Sequence, residues 1–321
     1  MALFRGGMRG LASSASPRVS ITRTPEGVAH VRLSRADKMN ALDMDMFRAL
    51  RAAALEVAAD TSVRAVLLSG EGRAFCAGLD VGSVCGDPLS ARANMDELLR
   101  RPDGALSNLA QDVGYLWRRV PAPVVAAVHG ACFGGGLQIA LGADIRVCHP
   151  AAKLSVMEAK WGLVPDMSAT VTLPELVPKD VALELTLTGR VFDGAEALKL
   201  GLVTQLSEAP VDDALALATR IAARSSPDAA AAAKRLLHAT YTDAPDDARN
   251  LRVESEVQRM LIGGWNQAAC AARGLGVPAF LQPAFTDRGE VWGAEADERA
   301  EAALRALLDG EGPAAPVEEA A

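Results

Sequence analysis

The amino-acid sequence predicts an α/β protein with a helical C-terminal part, and three observations carry that expectation. Short β-branched runs alternate with segments of helical period between residues 19 and 148. From Asp180 onward the signal is mostly helical, the order expected of strand–helix units followed by a helical appendage. The chain has 321 residues, 50% of them apolar, enough to bury a substantial core and to exclude a disordered or disulfide-held mini-protein.

In chain order, residues 19–24 and 28–33 read as strands joined by the hairpin signal Pro25-Glu26-Gly27. Residues 41–58 carry Leu42, Met46, Ala49, Ala53 and Val57 at helical spacing, with Asp43 and Asp45 where the helix dipole favours acids. Residues 63–69 form a β-branched run ending at Gly70, residues 123–128 another, and residues 144–148 a third. Helices are expected over 181–188, 212–223 and 228–241. The apolar stretch 124–145 holds His129, Gln138, Asp144 and several glycines, so it predicts a buried strand, a turn and a short buried helix rather than a membrane span. No internal repeat is evident.

The charge balance is 33 basic against 40 acidic residues, a net of −7 with 4% aromatics, which argues against a nucleic-acid partner. Cys76, Cys85, Cys132, Cys148 and Cys270 contain no C-x-x-C pair, and with four histidines no metal-ligand spacing emerges; a reducing compartment is expected and no metal. Residues 1–17 contain Arg5, Arg9, Ser13, Ser14 and Ser16, and no acid precedes Glu26. That is the composition of a transit peptide, implying the mitochondrial matrix; a merely basic terminus would leave the protein cytoplasmic. Residues 286–321 form an acidic, alanine-rich tail. Between these ends lie an expected core, 18–205, and a C-terminal helical region, 206–285.

Two glycine turns follow expected strands: Ala74-Phe75-Cys76-Ala77-Gly78-Leu79-Asp80, and His129-Gly130 through Gly134-Gly135-Gly136-Leu137-Gln138. Glycine allows close backbone approach, and N–H groups opening a helix favour negative charge. Two such turns converging on one point would form an oxyanion hole for a thioester or other acyl oxygen. Neither G-x-x-x-x-G-K-[ST] nor G-x-G-x-x-G occurs, so a nucleotide-phosphate cradle is unsupported.

From about Val19 to about Leu275 the chain resembles the crotonase (enoyl-CoA hydratase/isomerase) superfamily. The resemblance rests on Lys38-Met39-Asn40-Ala41-Leu42, the two glycine turns, Gly142-Ala143-Asp144-Ile145-Arg146, and Thr188-Gly189-Arg190 through Gly201-Leu202-Val203. It implies the spiral fold of repeated ββα units, with C-terminal helices that assemble homotrimers or homohexamers. It also implies an acyl-CoA substrate held at Ala77, Gly78, Leu79, Asp80, Val81 and Gly135, with the Leu79 and Gly135 N–H groups as oxyanion donors. No cofactor is implied; CoA enters as part of the substrate.

Hydratases of the family carry a glutamate where this chain has Gln138, and a second where it has Glu158. An amide can orient water but cannot exchange a proton in the needed range, so hydration is disfavoured. Asp166, eight residues after Glu158, matches instead the Δ3,5-Δ2,4-dienoyl-CoA isomerases, although those usually carry an aspartate at position 138. The resemblance therefore implies a double-bond isomerase with Glu158, Asp166 and Gln138 as its site; enoyl-CoA hydration and a non-catalytic binding subunit are the alternatives. Structural uses compete for each residue. Glu158 can cap or salt-bridge a helix start, Asp166 can be an N-cap for Met167 onward, and Gln138 can be a satisfied buried amide. His129, Cys76 and Cys132 fit turn and core packing, Asp144 a structural role, and Trp161 a cover over the acyl pocket or a subunit contact. Arg35 and Lys38 are candidates for the CoA phosphates, with a solvated surface as the equal alternative.

Overall fold

The computed structural model describes residues 17–241 and 246–289. The expected leader, apart from Pro17, and the acidic tail beyond Gly289 lie outside the described residues.

The chain opens with the antiparallel hairpin β1 (Val19–Arg23) and β2 (Val28–Leu33), turned at Gly27 with φ +89°. Helix α1 (Met44–Ala59) starts later than its apolar pattern suggests, because the Asp43 carboxylate accepts the Met46 N–H at 2.8 Å and so caps the helix from outside. Strand β3 (Ala65–Gly70) follows, then three helices absent from the sequence-based expectation: α2 (Val81–Cys85), α3 (Pro88–Leu99) and α4 (Leu109–Arg119). Each begins at a capping side chain, Asp80, Asp87 and Asn108, the last in a capping box with Gln111.

The next run is β4 (Val124–Val128), β5 (Ala131–Phe133), α5 (Gly135–Leu141), β6 (Ile145–Cys148) and β7 (Lys153–Ser155). Then come α6 (Ala169–Leu176), α7 (Lys179–Thr188), β8 (Phe192–Asp193), α8 (Gly194–Leu200) and β9 (Gln205–Leu206). Helices α9 (Pro210–Arg224), α10 (Pro227–Thr240), α11 (Asp247–Leu261) and α12 (Trp265–Gly274) complete the chain. Among the described residues no helix is long and apolar enough to cross a membrane.

The strands form a six-stranded sheet, β1-β2-β3-β4-β6-β9, parallel except for the opening hairpin, and a smaller sheet, β5-β7-β8. Both faces of the large sheet are covered. On β3, Val66 and Leu68 join the core built with α1, α4 and α5, while Ala65 and Leu67 join a second core against α9. Burial on both faces explains why this strand reads as a continuous apolar run rather than an alternating one.

Asp144 accepts the Val124 N–H at 2.7 Å and pairs with Lys234 (2.8 Å) and His238 (3.2 Å), tying the sheet to α10 in the structural role expected of it. Residues 286–289 return to the core: Arg288, 3% exposed, donates to the Val63 carbonyl at 3.0 Å. The boundary expected at 285/286 thus falls within a segment bound to the end of α1.

Candidate active site

The first glycine turn is shaped by Asn40. Its backbone is left-handed (φ +56°), a conformation asparagine tolerates, and its buried amide donates to the Glu71, Ala74 and Phe75 carbonyls at 2.9, 2.8 and 3.2 Å. Its oxygen accepts the Arg35 N–H at 2.9 Å. The Ala77 N–H then donates to Met39, and Asp80 caps α2, which opens at Val81. Arg35 is spent here: it bonds the Ala41 carbonyl (3.0 Å) and pairs with Asp80 (2.8 Å) and Asp43 (3.4 Å). Its guanidinium thus has two carboxylate partners at the first turn. Burial opposes ionisation of Asp80, but Arg35 and the Ser83 N–H outweigh it and hold the carboxyl below its usual range.

The second turn docks against the first. Cys76 donates its N–H to Ala131 at 3.0 Å and accepts from Phe133 at 3.0 Å. Gly78 (φ +87°) leaves no room for a side chain, since a Cβ would lie 2.7 Å from the Phe133 oxygen; that same point is 3.8 Å from the Gly135 nitrogen. The Leu42 N–H donates to Gly78 and the Asp80 N–H to Leu42, which leaves the Leu79 N–H between them without a protein acceptor among the described residues. The Gly135 N–H, first in α5, has none either. A Cβ on Gly135 would strike Met167 Sδ at 2.6 Å. Two unspent backbone donors thus sit on adjoining turns, one at a helix N-terminus, as an oxyanion site requires.

Glu158 lies beside the second turn, and Asp166 is near enough to Glu158 to act on its charge. Glu158 opens a 3-10 turn after β7, and its carboxyl faces Gly134, whose Cβ direction meets Oε1 at 3.4 Å and Oε2 at 4.0 Å. Oε1 accepts from Gln138 Nε2 at 2.6 Å, while Oε2 is buried without a hydrogen-bond partner. Burial pushes the Glu158 carboxyl above its usual range, and Asp166 adds to the rise, against the donor from Gln138. Asp166 is raised too, by burial of its carboxyl, although the residue as a whole is exposed, whereas Glu158 is only 9% exposed.

The competing structural uses divide: a cap is ruled out for Asp166, while Gln138 is a fully bonded buried amide. Asp166 does not cap α6, which begins after Ser168. Gln138 is 2% exposed, and its Oε1 accepts from the Met167 and Ala169 N–H groups at 2.8 and 3.2 Å. His129 packs the turn, its Nε2 on the Gly72 carbonyl at 2.9 Å. Cys76 and Cys132 are fully buried, and burial pushes the Cys76 thiol up to about 12. Trp161, Leu163 and Val164, between the two carboxylates in sequence, are exposed, and Lys38 is exposed beside the first turn. Asn40, which stands in the Lys38–Leu42 motif, and Met167 build the site, roles that motif spacing does not reveal.

Residues 23–263 match the family model described as enoyl-CoA hydratase/isomerase. The chain is 32% identical over 199 residues to the peroxisomal Delta(3,5)-Delta(2,4)-dienoyl-CoA isomerase of Arabidopsis thaliana, covering 60% of this chain and 70% of that one. It is 37% identical over 191 residues to the Mycobacterium tuberculosis protein named "Probable enoyl-CoA hydratase EchA14", covering 59% and 69%. Among solved structures, an enoyl-CoA hydratase of Mycobacterium smegmatis superposes with a TM-score of 0.69 at 26% identity, covering 81% of this chain and 97% of that one. With its crotonase fold, its paired glycine turns and this match over most of its length, the chain belongs to the enoyl-CoA hydratase/isomerase family.

Proposed function

We propose that this protein isomerises 3,5-dienoyl-CoA to 2,4-dienoyl-CoA, the thioester oxygen resting on the Leu79 and Gly135 N–H groups. The observation carrying this reading is the unpartnered Oε2 of Glu158 beside the Gly134–Gly135 turn, with Asp166 close enough to raise its carboxyl further. A carbonyl held at that turn presents C2 to Glu158 and the distal end of the diene toward Asp166. Ionised Glu158 takes a proton from C2; the C–H electrons delocalise over C2–C6 and the thioester oxygen, and protonated Asp166 delivers a proton to C6. Glu158 then holds a proton and Asp166 a charge; once the product leaves, Glu158 gives its proton to solvent entering the emptied site and Asp166 takes one from solvent, which restores the starting state. Buried carboxyls with raised pKa values suit a base and an acid working as a pair.

The roles separate in deuterium oxide. Asp166→Asn is expected to keep exchange at C2 of the substrate while losing double-bond transfer, and Glu158→Gln to lose both. Retained exchange in Glu158→Gln would assign the C2 proton to another group.

Enoyl-CoA hydration is the second reading, favoured by the name of the 37% identical mycobacterial relative. Against it stands Gln138, which offers water no base. For the assembly we propose a homotrimer or homohexamer, supported by exposed Leu237, Leu251, Ile262 and Trp265 on and beside α10–α12. For the compartment we propose the mitochondrial matrix, supported by the composition of residues 1–17 alone. Light scattering and imaging of a fluorescent fusion test these two.

A further inference from the structure

We propose that Gln138 is a positioning residue: it ties Glu158 Oε1 to the backbone of Met167 and Ala169, leaves Oε2 as the single proton-transfer atom, and occupies the place from which a second base would activate water. The proposal deepens the isomerase reading above and rests on it for its kinetic arm only.

The argument starts from the amide's orientation. Backbone N–H groups can face only an acceptor, and those of Met167 and Ala169 both point at the outer oxygen of residue 138, at 2.8 and 3.2 Å. The NH2 end must then face Glu158, where Nε2 lies 2.6 Å from Oε1. No rotation of the amide satisfies the three contacts otherwise, and the group is 2% exposed, so water cannot replace them. Met167 carries the same bridge to the oxyanion turn, since its sulfur bounds the space at Gly135. Gln138 thus links the general base, the start of α6 just after Asp166, and the hole wall through one side chain. A neutral donor on Oε1 favours the ionised form of Glu158, whereas Oε2 receives no such help and stays free to take a proton.

Two substitutions separate positioning from packing. Gln138→Glu preserves shape and both backbone contacts but sets a second carboxylate against Oε1, so the pair must share a proton and Glu158 ionises at higher pH. Gln138→Met preserves length and burial and removes every hydrogen bond. The experiment is a pH titration of protein labelled with [13Cδ]glutamate, without ligand, the Glu158 signal identified by its loss in Glu158→Gln. The expected result is an upward move of the Glu158 midpoint by about one unit or more in Gln138→Glu and by a smaller amount, in the same direction, in Gln138→Met. In the kinetic arm, the acid limb of kcat for dienoyl-CoA moves upward with the titration, while KM changes little. Midpoints that coincide within about 0.3 unit in folded variants overturn the positioning role, because loss of the donor on Oε1 would then leave the ionised form of Glu158 unaffected. A shifted titration in a wild-type protein that does not isomerise dienoyl-CoA would retain the positioning role and refute the isomerase reading.

Discussion

Glu158 Oε1 lies 2.6 Å from Gln138 Nε2, while its other oxygen is buried with no hydrogen-bond partner among the described residues. An unpaired buried carboxylate oxygen costs stability, so its presence next to two unspent backbone N–H groups marks where the fold sacrifices stability for chemistry.

That cost is measurable. A carboxyl whose folded pKa stands above its unfolded value is penalised above the folded pKa and unpenalised below the unfolded one. Glu158→Gln is therefore expected to raise the melting temperature at pH 7, on the order of 2 °C for each kcal/mol relieved, with the gain vanishing near pH 4. Scanning calorimetry at the two pH values checks it; a lower melting temperature at pH 7 would contradict the burial argument.

The pH–rate profile follows from the same pair. Glu158 must be ionised and Asp166 protonated, and both carboxyls are raised. The expected kcat profile is a bell whose apparent limbs belong to the coupled pair, with its acid limb above the ordinary glutamate range. Asp166→Asn should remove the basic limb.

Gly78 tolerates no side chain, and a Cβ at Gly135 would displace Met167. Gly78→Ala meets both a positive φ and the Phe133 carbonyl, and Gly135→Ala meets Met167 Sδ. Each is expected to lower kcat by about 10²–10³-fold, the cost of a misplaced oxyanion donor. Steady-state kinetics beside a urea melt distinguishes site damage from unfolding.

Asn40→Ala strips a donor from three carbonyls and an acceptor from the Arg35 N–H. A loss of at least about 2 kcal/mol is expected from urea unfolding, since several buried groups are left unsatisfied together.

The cysteines should divide by burial. Cys85 is exposed, whereas Cys76 and Cys148 are buried with thiols pushed up to about 12. Brief alkylation at pH 8 followed by mass spectrometry is expected to label Cys85 and to spare Cys76, Cys132 and Cys148 until urea is added.

Much of the fold was legible because burial leaves a periodic trace. Val66, Leu67 and Leu68 read as one apolar strand since both faces are covered, and Pro25-Glu26-Gly27 marked the hairpin. Of the helices in residues 81–119, α2 is five residues long and α3 buries only Leu98, which leaves their caps at Asp80 and Asp87 as the local signal, whereas α4 does carry a periodic trace in Leu109, Val113 and Trp117. In the site, the glycine turns stood out in the sequence, and Glu158 and Asp166 through the family resemblance. The commitment of Arg35 to Asp43 and Asp80 did not, nor did the orientation of Gln138. Both depend on partners that only the tertiary fold brings near, the latter on N–H groups 29 and 31 residues away.

The central claim, proton transfer between two carboxylates on a held thioester, is tested most directly by the ultraviolet absorbance of 2,4-dienoyl-CoA formed from the 3,5-isomer. Wild type, Glu158→Gln and Asp166→Asn would be run together, with hydration of a 2-enoyl-CoA followed in parallel. The account predicts fast dienoyl conversion by the wild type, a fall of about 10²–10⁴-fold in each variant and little hydration. Hydration alone, unaffected by Asp166→Asn, would contradict it.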